Sequence, residues 1–181
     1  MRAFIALLAA VTLAAPALAQ RGWHGGLDRS FSGPVAITSI TIGEELAEDD
    51  DDIGEREFAR LIDDLRDEVA SQLADIGRFS AEPVAGAARL ELVITDAKPN
   101  RPTQNQLGRR PGLSIRSFSI GGAEIEGVLY DASGVEIGAF RYAYFSDDIR
   151  DARARSTWSD ARRSFDRFAR RLARELNTQA S

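Results

Sequence analysis

The sequence predicts a single α+β domain of two layers: a mostly antiparallel sheet of four or five strands with two long helices on one face. Three observations lead there. Runs rich in β-branched residues are separated by two long amphipathic segments, so that strand, helix, two or three strands with a hairpin, and helix follow in order. The chain has 181 residues, and the part after an export signal is long enough to bury a core as one unit. It has no cysteine, so disulfide staples are not what holds it together.

The elements follow from local pattern. Val35 to Ile42 carries Val35, Ile37, Thr38, Ile40, Thr41 and Ile42 and reads as the first strand. After the acidic stretch Glu44 to Asp52, the residues Phe58, Leu61, Ile62, Leu65, Val69, Leu73 and Ile76 recur at three- and four-residue steps, which gives a helix with one apolar stripe, closed by Gly77. Arg78 to Val84 is a short strand candidate. Arg89 to Ala97 is a better one, with Leu90, Leu92 and Ile94 on a shared face. Asp96 to Leu113 contains Pro99, Pro102 and Pro111 and several amides, and reads as a long surface loop. Ser114 to Tyr130, broken at Gly121-Gly122, and Val135 to Phe145 are joined by Asp131-Ala132-Ser133-Gly134 as a β-hairpin. Trp158, Ala161, Phe165, Phe168, Leu172 and Leu176 define a last helix from Thr157 to Asn177. Thr157-Trp158-Ser159-Asp160 resembles a capping box in which Asp160 replaces the usual Glu or Gln.

The amino end reads as an address. Met1 to Ala19 has Arg2 at its start, an apolar run from Ala3 to Ala15, and Ala17-Leu18-Ala19 as a small-residue cleavage site, the pattern of a signal peptide. Gln20 follows where a lipoprotein needs its acylated cysteine, so the expected product is periplasmic or secreted, with neither a lipid nor a transmembrane anchor. Gln20 to Gly33 is glycine-rich and without periodicity, a flexible leader. The domain is expected over 34–178.

Composition narrows the function. The chain carries 23 basic and 28 acidic residues, a balance unsuited to nucleic acid, and loss of the signal makes it one unit more negative. Catalytic constellations are missing from the sequence: His24 is the only histidine, and no Gly-x-Ser-x-Gly elbow or phosphate loop is present. No cofactor, metal or catalytic residue is therefore expected, and the protein is expected not to be an enzyme. Two alternatives stay open. An envelope-glycan hydrolase would need a carboxylate pair drawn from Asp96, Glu124, Glu126, Asp147 and Asp148. A soluble subunit of an outer-membrane assembly would touch anionic lipid through the basic last helix; from Arg150 to Arg174, the cations Arg150, Arg153, Arg155, Arg162, Arg163, Arg167, Arg170, Arg171 and Arg174 stand against Asp151, Asp160 and Asp166. The solvated face of an amphipathic helix explains the same charges. The run Asp49 to Asp52 invites a calcium reading, but Ile53 and Arg60 fall where an EF-hand needs ligands, so an acidic loop beside a helix start is favoured.

Contact residues for an envelope protein or glycan are sought in two places. The loop offers Asn100, Arg101, Gln104, Asn105, Arg109 and Arg110. The last strand puts Phe140, Tyr142 and Tyr144 on one face, either an open aromatic ladder or, with Arg141 outside, part of the core. Neither reading settles the oligomeric state.

The run from Ile94 to Gly127, the hairpin after it and the helix Thr157 to Asn177 resemble an uncharacterised family of exported bacterial proteins, many of them lipoproteins, that share a domain of unknown function. The element order is similar to that of the small α/β domain at the amino end of TolB and in the periplasmic part of the curli secretion channel. The second resemblance implies an assembly or interaction role, and neither brings catalytic residues. Together with the composition, they lead to the expectation of an exported, non-enzymatic binding module of the cell envelope.

Overall fold

A computed structural model describes residues 22–28, 30–147 and 156–178. Residues 1–19, expected to be an export signal, and Asp148, Arg150, Asp151, Arg153 and Arg155 lie outside the described residues.

The sheet differs from expectation. It has six strands in the order β1-β6-β5-β4-β2-β3, and it is mixed. These are β1 (Gly22–Leu27), β2 (Val35–Ile42), β3 (Phe79–Ser80), β4 (Ala88–Lys98), β5 (Gly122–Tyr130) and β6 (Glu136–Phe145). β2 runs parallel to both β3 and β4, while β4, β5, β6 and β1 pair antiparallel. The chain reaches β4 from β2 through a helical crossover, which is why these neighbours point the same way. The added strand, β1, comes from the segment expected to be a flexible leader. It pairs with β6 from Gly22 opposite Ala143 to Leu27 opposite Gly138. Its glycines permit this: Gly25 has φ +91°, and a Cβ there would stand 2.0 Å from the Ala139 carbonyl oxygen.

Five helices occur among the described residues where two were expected. Two are long, α3 (Glu55–Asp75) and α5 (Ser159–Thr178); three are short, α1 (Glu44–Ala47), α2 (Asp50–Ile53) and α4 (Gln104–Arg109). α3 buries Phe58, Leu61, Leu65, Val69 and Leu73, and α5 buries Ala161, Phe165, Phe168, Ala169, Leu172, Ala173 and Leu176. The two lie side by side with their starts together: Trp158 Nε1 donates to Glu57 Oε2 at 2.6 Å, and Arg162 Nε to Asp64 Oδ2 at 2.8 Å. α3 ends as its sequence indicates. Gly77 takes φ +68° and donates to Ala74 O, and Arg78 N donates to Leu73 O.

Both long helices cover the sheet face that carries Leu90, Leu92, Ile94, Ala123, Ile125, Leu129, Phe140 and Tyr142. Bulges keep that face apolar. The register shifts between Ile37 and Ser39 and again between Ile94 and Asp96, so Ile40 and Ile42 align with Leu92 and Ile94, and Ala97 aligns with Ala123. Without the first shift, Ile40 would point away from the core.

Arg78, whose role the sequence did not disclose, is the buried tie at the far end. Its guanidinium donates to the carbonyls of Gly33 at 2.7 Å, Phe31 at 2.9 Å and Leu176 at 3.0 Å, joining the entry to β2, the end of α3 and the end of α5. Burial pulls its pKa below the ordinary arginine value.

Candidate functional site: a pinned loop and its apolar tip

The 96–113 region is not a structureless loop. β4 continues to Lys98, and Thr103-Gln104-Asn105-Gln106 then starts α4 with a complete capping box: Thr103 Oγ1 accepts from Gln106 N at 3.2 Å, and Gln106 Oε1 accepts from Thr103 N at 3.2 Å. Thr103 Oγ1 also donates to Asp52 O. The basic groups of α4 and the acidic run close on each other, Arg109 on Asp51 at 2.6 Å and Arg110 on Asp52. Arg109 holds the Asp51 carboxyl below its usual pKa. Arginines thus occupy the place where a cation was considered for residues 49–52. Among the described residues, no group of three or more His, Cys, Asp or Glu is placed to hold a metal ion.

The structure disperses the expected contact residues. Asn100 is fully buried. Its Nδ2 donates to Asp160 Oδ2 at 2.6 Å and to Ser119 O at 3.3 Å, and its Oδ1 accepts from Asp160 N at 2.8 Å. Asp160 therefore does not close a capping box on its own helix. It ties the start of α5 to the loop, with Ser146 Oγ donating to Oδ2 at 2.8 Å, while Oδ1 has no partner among the described residues. Gly121 lies against this node, where a Cβ would stand 2.6 Å from the Asn100 side chain. Arg101 donates to Ile115 O at 3.0 Å. Gln104 and Asn105 are exposed and line a cleft of about 510 Å³ with Asp50, Glu55, Arg56 and Glu57. Phe140 and Tyr142 are buried in the core, and Tyr144 is half-buried beneath Arg163 and Arg167. The open aromatic ladder is therefore overturned. The helices cover the aromatic face, and Arg141 stands on the other one.

That other face gathers carboxylates. Asp96 is opposite Glu124 in the register, and Arg141 reaches Glu124 at 2.6 Å and Glu126 at 3.6 Å. Burial, helped by Glu124, raises the Asp96 pKa against the pull of Lys98.

Between α4 and β5 the sequence suggested that a strand begins at Ser114, but pairing starts only at Gly122. The intervening segment displays Leu113, Ile115, Phe118 and Ile120 at 36 to 72% exposure. It is pinned on both sides. Ser119 N donates to Asn100 O at 2.8 Å, Ser119 Oγ donates to Pro99 O at 2.7 Å, and Ser146 N donates to Gly121 O at 3.0 Å. The alternation of apolar and polar residues in Leu-Ser-Ile-Arg-Ser-Phe-Ser-Ile suggested a strand; β4 and β6 end opposite Gly122, at Lys98 and Phe145, and leave the apolar half in solvent.

No protein-family model and no curated protein matches the chain. Among solved structures it is similar to two PelC dodecamers from Paraburkholderia phytofirmans. One, a substituted form, is 11% identical with a TM-score of 0.44 over 87% of this chain and 95% of that one. The other is 10% identical with a TM-score of 0.43 over 87% and 96%. No helix among the described residues is long and apolar enough to cross a membrane.

Proposed function

We propose that this protein is an exported, non-enzymatic binding module of the cell envelope, and that residues 113–120 are the surface it offers to a protein partner. The observation that carries the reading is the apolar tip: Leu113, Ile115, Phe118 and Ile120 stand in water within eight residues, on a segment whose backbone is anchored to the domain. Anchoring reduces the ordering cost of binding. Each large apolar side chain moved fully out of water contributes about 1.5 to 3 kcal/mol, and the four together give the tip the apolar part of a contact. The polar neighbours Arg116, Ser114 and Ser117 supply a rim, as interfaces require.

The test is a double substitution, Ile115→Ser with Phe118→Ser. The side chains contribute little to the core, so the melting temperature stays within about 2 °C of the parent, while the partner co-isolated by the parent from envelope fractions is lost. An unfolded variant, or undiminished co-isolation, refutes the assignment.

A second reading has one observation in its favour. Asp96, with its raised pKa, faces Glu124 across two strands, which is the raw material of a carboxylate-dependent glycan hydrolase. Glycan release that disappears in Asp96→Asn would favour that reading over the first.

A further inference from the structure

α5 carries a row of four arginines, two of which no carboxylate of the described residues neutralises. Arg167, Arg170, Arg171 and Arg174 are spaced i, i+3, i+4 and i+7, one stripe of a helix, and stand beside Trp23 of β1 and Tyr142 of β6 around a groove of about 430 Å³. Arg170 is paired with Asp166, and Arg171 with Glu175 at 3.1 Å. Arg167 and Arg174 have no carboxylate partner among the described residues. The Arg167 guanidinium lies 4.2 Å from the Tyr144 ring centre, and that of Arg171 lies 5.9 Å from Trp23. Trp23 is itself fixed, 5.4 Å from Phe140 and 5.7 Å from Phe168 between ring centres. Aromatic rings therefore hold two of the cations in place, and one of them, Trp23, lines the groove.

Structural economy does not account for this arrangement. Like charges at helical spacing repel, and the chain as a whole has more acids than bases, yet no acid of the described residues is paired with Arg167 or Arg174. Guanidinium groups match carboxylate and phosphate in planar two-point contacts. The groove volume falls in the range of small-ligand sites, larger than one inorganic anion requires. A ring with an apolar face would rest on Trp23 while its anionic substituent meets the arginines.

We propose that the groove between α5 and β1 binds an acidic saccharide, its carboxylate or phosphate group held by Arg167 and Arg174 and its ring laid against the half-buried Trp23. A free acidic glycan and the phosphorylated sugar headgroup of a glycolipid present the same chemistry. The site does not depend on residues 113–120, which are tied to the first turn of α5, about 10 to 20 Å of helix away.

The experiment titrates the full exported chain with trigalacturonate, with maltotriose as the neutral control, and with phosphatidylcholine vesicles with and without lipid A. Saturable binding of trigalacturonate without binding of maltotriose supports a free-glycan site; binding only to lipid A vesicles supports the same site with a lipid-borne ligand. In either arm, Arg167→Ala with Arg174→Ala weakens binding at least about tenfold, whereas Arg56→Ala with Arg66→Ala, the same charge loss on α3, leaves it unchanged. If the first double variant fails to fold, Arg174→Glu at an exposed position gives the same loss. The proposal is overturned if neither probe binds, if maltotriose binds equally, or if the two double variants weaken binding alike.

Discussion

Replacing Asn100 with alanine should unfasten the loop from the last helix. The substitution removes one hydrogen bond to a buried carboxylate, Nδ2 to Asp160 at 2.6 Å, a longer one to Ser119 O, and the acceptor of Asp160 N at 2.8 Å. A bond to a charged group contributes about 1.5 to 3 kcal/mol and a neutral one about 1 kcal/mol, and among the described residues Ser146 is the side-chain donor that Asp160 keeps. The expected loss is therefore about 3 kcal/mol, equivalent to about 6 to 12 °C in melting temperature for a domain of this size. Urea unfolding followed by circular dichroism gives the free energy, and hydrogen exchange at Ser119 and Asp160 shows where it is lost: both amides should exchange faster than in the parent. A loss below about 0.5 kcal/mol, the level of an ordinary surface substitution, would refute the view that Asn100 is an internal tie.

Arg78→Met leaves the carbonyls of Phe31, Gly33 and Leu176 without their donor, so urea unfolding should show a loss of about 3 kcal/mol or more, with early fraying of the end of α5 by hydrogen exchange. Asp96→Asn should raise the melting temperature at pH 7. The folded state holds the Asp96 pKa above its unfolded value of 3.8, so ionisation costs stability as pH rises through that interval. The advantage of the asparagine should disappear in melts taken as the pH falls toward 3.8. Gly121→Ala should destabilise, since its Cβ would meet the buried Asn100 side chain; thermal melting equal to the parent would show that the node can yield.

What could be read from the sequence was whatever periodicity alone determines. The stripe from Phe58 to Leu73 and the one from Ala161 to Leu176 form helices close to where they were expected, because each buries a continuous apolar face. The hairpin at Asp131 to Gly134 likewise forms: Asp131 Oδ1 accepts from the amides of Ser133 and Val135. β1 was not legible because Gly-Trp-His-Gly-Gly-Leu has no alternation; only the free edge of β6 makes it a strand. The parallel pairing of β2 was equally hidden, since strand direction follows from the crossover and not from the residues of the strand. Asn100, Phe140 and Tyr142 were sought as contacts because their chemistry suits binding, and burial claims them instead. The α4 capping box was visible as Thr-x-x-Gln and was obscured by the prolines on either side. The missing strand before Gly122 has the opposite cause: an alternating pattern was present, but β4 and β6, the neighbours of β5, end opposite Gly122 at Lys98 and Phe145.

The most direct test of the interaction account is site-specific photocrosslinking in the living envelope, with a benzophenone side chain placed at Ile115, at Phe118, or at Val84 as an equally exposed apolar control away from the tip. The account predicts one discrete adduct from positions 115 and 118 and none from 84, with the adduct lost when the neighbouring apolar residue of the tip is changed to serine. The same adducts from all three positions, or none from 115 and 118, would contradict it.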